Sequence, residues 1–340
     1  MDELLFYNKK IDVKQGWKNS VLNFEPDSSP DAWMHYKKFY GNDAFWNNSF
    51  DFNNIIFFKF ESENQYVDFP SNHKNRLNIL NIKNSKSIKK INNNNYYHAT
   101  SRLSGETDFN FNSQKYNRFK EILITDYIQD KKTYNEHIKK LDKCHLLHDT
   151  LVNFSLMFVM GNLQSAKSIG YKKDWLDRLD SFILMLELFF QMDKKSRIHS
   201  ILIKSISRKL SKKNIENLVQ YLNSFENVNE YCKKVYFINE SLVKKLIKNG
   251  KENIDSGEKV VKYMDLAIEF WQEKSLYFLN KDLMVISEYF YNGGEVYTNE
   301  FMKLMIKMDL GYDEKDAEIL ISICLNKGFF YDVGNGIYVR

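Results

Sequence analysis

Residues 295–340 read EVYTNEFMKLMIKMDLGYDEKDAEILISICLNKGFFYDVGNGIYVR, and the periodicity of this stretch decides the architecture. EVY is a short strand pattern. Thr298 and Asn299 follow it, and their side chains can accept a backbone N–H at the start of a helix, so NEFMKLMIKM is predicted to be helical. DLGYD, with Gly311, is a tight turn. EKDAEILISICLNKG is a second helical run that ends on Gly328, a residue free to take the left-handed conformation of a helix end. FFYDV, GNG and IYVR then form two strands around a Gly/Asn turn. Just upstream, LMVISEYFY (283–291) reads as a helix closed by Gly293 and Gly294. The order is helix, strand, helix, turn, helix and two-stranded hairpin.

That is the order of a winged helix, expected over 281–340. Winged helices often read DNA with their third helix. Here the third helix opens with Asp313, Glu314, Asp316 and Glu318, the wrong sign for phosphates. The hairpin carries Asp332 and no cation before Arg340. Residues 281–340 hold six Lys/Arg and ten Asp/Glu, a balance of −4 in a chain of net +5. The acidic winged helix is therefore expected to meet another protein. The opposite charge lies upstream. Between Phe69 and Gly105 there are seven Lys/Arg and no acid. Lys74, Arg76, Lys83, Lys86, Lys89 and Lys90 are the candidate contacts to an anionic partner, DNA or RNA.

The remaining 280 residues divide by pattern. NIIFFKF (54–60) and NQYVDFP (64–70) suggest a hairpin, and ETDFNFN (106–112) alternates like a strand. The basic, Asn-rich stretch between them is an exposed loop or a short strand. From about Lys115 to Asn280 the period becomes helical, as in RLDSFILMLELFFQM, and no proline interrupts it. The expected fold is mainly α with an α+β N-terminal part: 1–125 α+β, 126–280 a helical bundle, 281–340 the winged helix. Three dispersed cysteines without a CxxC fit a reducing cytoplasm. MDELLFYNKK has no apolar core of the signal-peptide kind, and the longest apolar run, FILMLELFF, holds Glu187 and is too short to span a membrane.

Chemistry concentrates in HLLHDTLVNFSLM (145–157), eight residues after NEH (135–137). On a helix, His137, Cys144 and His148 share a face, and imidazole nitrogen with thiolate is a zinc-ligand set, although a structural site needs four ligands. His148 and Asp149 form the HD pair that metal-dependent phosphohydrolases use. A nuclease site is a third option, with one His as general base while an Asn and another His hold that base or the metal. His137, His148, Asp149 and Asn153 are accordingly the candidate catalytic residues, with a divalent metal required only on this enzymatic reading. In DWLDRLD, Asp177 and Asp180 lie three apart, as a Mg²⁺-binding pair or as a solvated face with Arg178. GxGxxG, Walker A and GxSxG motifs are absent.

Two resemblances attach to these residues. NEHIKK…HDTLVNFSLMFVMGNLQSAKSIGYKKDW is similar in layout to the C-terminal region of modification-dependent restriction enzymes of the GmrSD type. Glu136 and His137, Asn153, Asn162, and Lys172 or Lys173 match its pattern, while Ile138–Lys140 and Val152 stand where that family has Pro and Gly. SPDAWMHYKKFYGNDAFWNNSFDF (29–52), HDTLVNFSLMFVMGNLQSAKSIGYKKDWLDRLDSFILMLELFF (148–190) and YLNSFENVNEYCKKVYFINESLV (221–243) resemble a bacterial family of unknown function over about 24–280. The second resemblance implies a shared fold and brings no activity. The expected function is a non-enzymatic binding or regulatory protein from a mobile-element or antiviral-defence context. The alternative is a metal-dependent nuclease or phosphohydrolase centred on His137, His148 and Asn153.

Overall fold

The computed structural model describes Phe39, 88–91, 94–97 and 103–339, apart from 159–162, 172–176, 207–209, 292–294, 311 and 313. It is mainly helical, with small sheets. β1 (Ile88–Ile91) and β2 (Asn94–Tyr97) pair antiparallel, so a short strand does form in the basic segment. The anticipated hairpin of 54–60 with 64–70 lies outside the described residues.

β3 (Leu103–Thr107) pairs antiparallel with β4 (Phe154–Phe158), Gly105 opposite Leu156 and Thr107 opposite Phe154. The pair joins residues on either side of position 125. Two helices that pack on each other, α1 (Ser113–Tyr127) and α2 (Lys131–Leu147), fill the chain between these strands. β4 falls where the helical period was expected to continue. Phe154 to Met157 are all buried, so neither a period of 2 nor one of 3.6 shows in the sequence.

The helices that follow are α3 (Leu163–Ile169), α4 (Leu179–Gln191), α5 (Ile201–Ile206), α6 (Lys212–Leu222), α7 (Val228–Val235), α8 (Glu240–Gly250) and α9 (Gly257–Phe290). Asparagines start several of them. The side chains of Asn112, Asn227 and Asn239 accept the N–H three residues on, at 3.0 Å each. Part of the Asn-rich composition is thus spent on helix caps.

The chain forms two compact units, one within 7–274 and one within 275–340. The core of the larger unit is a run of aromatic rings in contact: Phe111, Phe119, Tyr263, Phe109, Trp271, Phe270, Tyr236, Tyr231, Phe225 and Tyr221. Val260, Tyr263, Met264, Ala267, Phe270, Trp271 and Lys274 are the buried stripe that α9 presents to it.

The smaller unit runs from the end of α9 through β5 (Val296–Tyr297), α10 (Asn299–Leu310), α11 (Glu314–Asn326), β6 (Phe330–Asp332) and β7 (Ile337–Val339), in sheet order β5-β7-β6. Thr298 caps α10, accepting the Phe301 N–H at 3.2 Å. α11 ends in a Schellman turn. Phe329 N–H reaches Cys324 O at 3.0 Å, Gly328 N–H reaches Leu325 O at 3.2 Å, and Gly328 takes φ +76°. Phe290 packs edge-on against Tyr297 and Phe330 over a core of Met302, Ile306, Leu320, Ile321 and Ile337.

α8 lies tightly on α4. A Cβ at Gly250 would sit 2.4 Å from the Asp180 carbonyl oxygen. On an open helix Gly→Ala stabilises by about 1 kcal/mol, but here the obstacle is backbone and the helices must part. Gly250→Ala is expected to lower the unfolding free energy by about 1–3 kcal/mol in urea titrations; an unchanged or raised midpoint would show that the close approach is not required.

Candidate functional site

The polar centre of the larger unit begins where β3 ends. Asp108 N–H still bonds to Asn153 O at 2.7 Å. Beyond it the segment Phe109–Phe111 has no strand beside it among the described residues, and side chains satisfy its backbone instead. Asn153 Oδ1 accepts from Phe109 N–H at 2.9 Å and from Trp271 Nε1–H at 2.8 Å. Asn153 Nδ2 donates to Phe109 O at 2.9 Å and to His148 O at 2.8 Å. His145 Nδ1 lies 2.7 Å from Phe111 O, and His148 Nδ1 lies 3.3 Å from Phe109 O. The residues from His145 to Asn153 therefore form a clamp on the backbone of 109–111. The clamp holds Phe109 and Phe111 inward, both fully buried against Tyr263 and Trp271.

Next to the clamp lies a buried charged network. Lys274, on the otherwise apolar stripe of α9, donates to Asp108 Oδ2 at 2.6 Å, Ser155 Oγ at 2.6 Å and Phe154 O at 2.7 Å. Ser155 Oγ–H donates to Asp108 Oδ2 at 2.9 Å. Burial pushes the Asp108 carboxyl above its ordinary value against the pull of Lys274, and it pushes the Lys274 ammonium below its own. Lys167 behaves in the opposite way. It contacts Asp177 at 2.6 Å and the Thr107 carbonyl, and it lies 3.9 Å from Glu106. Burial alone would lower it, but Asp177, Glu106 and Asp108 together outweigh that and hold its ammonium above the ordinary value. Asp177 is likewise pushed up by burial and brought below its ordinary value by Lys167, Asn110 and Lys115.

Asp177 sits at φ +65°, a left-handed conformation uncommon outside glycine, fixed by Lys167 and by Asn110 Nδ2 at 2.5 Å. A third knot ties α4 to α8. Arg178 grips Asp180 with Nε and Nη2 at 2.9 and 2.6 Å and donates to Glu252 O, and Asn249 Nδ2 also donates to Asp180. Asp177 and Asp180 thus share no carboxylate face. Asp177 precedes α4, Asp180 lies within it, and each points to its own cation.

Ser155 Oγ beside Lys274 Nζ is an arrangement of nucleophile and base. Asp108, Ser155 and Lys274 are all 0–1 % exposed, however, so no substrate reaches that oxygen. The partly exposed rim of the network is Asn110, Lys115, His148, Asp149 and Asp177, and a polar ligand would meet these groups first. Burial lowers both Lys115 and His148, favouring their neutral forms; Asp177 opposes this at Lys115, and Asp149 opposes it at His148.

The structure distributes the anticipated site residues as follows. His148 and Asp149 lie on the rim, Nε2 3.9 Å from Oδ1. Asn153 is fully buried with all four hydrogen bonds made inside the fold. His137 packs edge-on against Tyr127 at 4.8 Å. Cys144 is buried, and burial raises its thiol, opposing the thiolate that a metal needs. Among the described residues no three His, Cys, Asp or Glu side chains converge to hold a metal ion, so His137, Cys144 and His148 are not brought together. Lys89 and Lys90 lie on β1; Lys74, Arg76, Lys83, Lys86, Asn162, Lys172 and Lys173 lie outside the described residues. Sequence reading missed Lys167 and Lys274. Lys274 was within reach, because it falls three and four residues after Trp271 and Phe270 on an apolar stripe. No family model, curated protein or solved structure matches this chain.

Two substitutions separate a scaffold from a catalytic centre. Asn153→Leu keeps the shape but strands four buried polar partners, and it is expected to cost at least ~3 kcal/mol in denaturant unfolding; a variant of native stability would remove the clamp from the account. Lys274→Met leaves Asp108 buried without its cation, an expected loss of about 3–5 kcal/mol. Adding Asp108→Leu should recover most of it, because an apolar pair of similar volume carries no desolvation penalty. A double variant as unstable as the single would assign the loss to packing.

Proposed function

We propose that the chain is a non-enzymatic binding or regulatory protein whose residues 281–340 form a winged helix that contacts protein. The observation that carries this reading is on α10. Phe301, Leu304 and Met308 are 44, 50 and 69 % exposed, at helical spacings of three and four. A helix that meets phosphates needs several cations on its outer face, and this one offers an apolar stripe with a single exposed cation, Lys307, beside it. α11, the third helix of the motif, adds Glu314 and Glu318 as exposed acids around a single exposed cation, Lys315.

The basic segment with Lys74, Arg76, Lys83, Lys86, Lys89 and Lys90 is, in the same proposal, the part that meets DNA or RNA. A mobile-element or antiviral role enters through the composition and the resemblance of 135–175. The hydrolase alternative needs Asn153 to act on a substrate, and to do so it would have to give up four buried hydrogen bonds. Among the described residues no helix is long and apolar enough to cross a membrane.

A gel shift with full-length protein tests the division of labour. At about 50 mM salt, where phosphate contacts are strongest, a shift of duplex DNA or RNA is expected. It should vanish when the six basic residues become Ala and persist in Lys315→Glu. A shift abolished by Lys315→Glu would assign nucleic acid to the winged helix and overturn the protein-contact reading. No shift at low salt would remove nucleic acid as a partner.

A further inference from the structure

α10 is apolar on two faces. Met302 and Ile306 point into the small unit's core, fully buried. Phe301, Leu304 and Met308 point away from it, and Tyr297 extends the outer stripe by stacking flat on Phe301, centroids 5.9 Å apart at 7°. The charges beside the stripe have an internal symmetry. Glu300 and Lys307 are seven residues apart, two helical turns, and so lie on the same side of the stripe. Both are exposed, and neither makes an ion pair among the described residues.

Opposite charges one heptad apart on one flank are self-complementary in one orientation only. When two copies of α10 lie antiparallel about a two-fold axis, residues on the same flank face each other. Glu300 of each copy then meets Lys307 of the other while the stripes close on themselves. A parallel pair would put the two copies of this flank on opposite sides of the seam, where Glu300 and Lys307 do not meet. An unrelated partner would have no reason to match this spacing.

We propose that the outer face of α10 is a homodimer interface in which a second copy of this chain docks antiparallel, stripe on stripe, flanked by two Glu300–Lys307 pairs. The proposal rests on the protein-contact reading above and names the partner. One helix face covers less than the roughly 800 Å² per partner of a standard interface, so the association is weak, with Kd on the order of micromolar.

Sedimentation velocity of the full-length chain over about 1–100 μM tests it, a range that brackets such a Kd. A concentration-dependent monomer–dimer equilibrium is expected. Leu304→Glu should leave only monomer. Lys307→Glu, which sets acid on acid, should weaken the dimer about tenfold or more, and Glu300→Lys should do the same by setting base on base. The exchange Glu300→Lys with Lys307→Glu should restore wild-type affinity, because complementarity returns with the charges reversed. The three substituted positions, Glu300, Leu304 and Lys307, are all exposed, and unchanged circular-dichroism melting confirms that the variants fold. A monomer at every concentration, a dimer indifferent to Leu304→Glu, or an exchange variant as weak as the single reversals would each overturn the proposal. None of these touches the broader reading, which fails instead if Lys315→Glu abolishes nucleic-acid binding.

Discussion

One side-chain amide, that of Asn153, stands where β3 runs out of backbone partners. A chain leaving a strand for the interior has N–H and C=O groups that need hydrogen bonds, and an unmade buried one costs about 1–3 kcal/mol. Asn supplies what a neighbouring peptide would: an oxygen that accepts twice and a nitrogen that donates twice. With Phe109 satisfied in both directions, the segment 109–111 runs through the core rather than over it. The direction of Asp108 toward Lys274, the seating of Phe109 and Phe111 among Tyr263 and Trp271, and the approach of α9 through its Trp271 N–H all depend on that exchange.

The same physics explains why the interior tolerates so many charges. Each ion taken out of water carries a penalty of several kcal/mol, returned only where other groups surround it. Lys274 meets a single carboxylate, and burial dominates the pair: acid and base both shift toward their neutral forms. Lys167 meets three carboxylates, and their sum reverses the sign. Two lysines that reach one small sheet from α3 and α9 thus differ by how many acids surround them. Each ties strands to a helix that the sequence places far away, Lys274 being 166 residues from Asp108. Such contacts specify which helix lies on the sheet more than they stabilise it, and they leave an oxygen like that of Ser155 chemically suggestive yet shut off from substrate.

Legibility in the sequence follows from how local each cause is. In the C-terminal unit three boundaries have their signal within a few residues: the Thr298 cap, the left-handed Gly328, and Gly334 at φ +84° in the hairpin turn. The order of elements could be written down from periodicity and turn chemistry. β4 could not, because a strand buried on both faces shows no alternation. His137 and Cys144 were legible as one face of α2, which ends at Leu147, just before His148. The role of His145 and His148 was not, since the groups they bind are backbone atoms 34 and 39 residues upstream, which no side-chain pattern marks. Asp177 was read as one of a helical pair of carboxylates, but it precedes α4 and takes a positive φ that its partners impose.

The two units also solve the placement of apolar and charged groups in opposite ways. The larger one brings Lys167, Lys274, Arg178, Asp108 and Asp180 inside and saturates them with partners. The smaller one leaves Phe301, Leu304 and Met308 outside. A helix apolar on two faces is the pattern of a buried helix, and water leaves the second face unsatisfied at roughly 25 cal/mol per Å². Scattered exposed apolar residues need no explanation, but a stripe in helical register does. Removing that surface from water requires another surface of the same character, and the Glu300 and Lys307 flank restricts which one fits. An apolar face alone would accept many partners indiscriminately; charges of opposite sign one heptad apart penalise all but those that present the reversed order, and the most economical source of the reversed order is the same helix turned around.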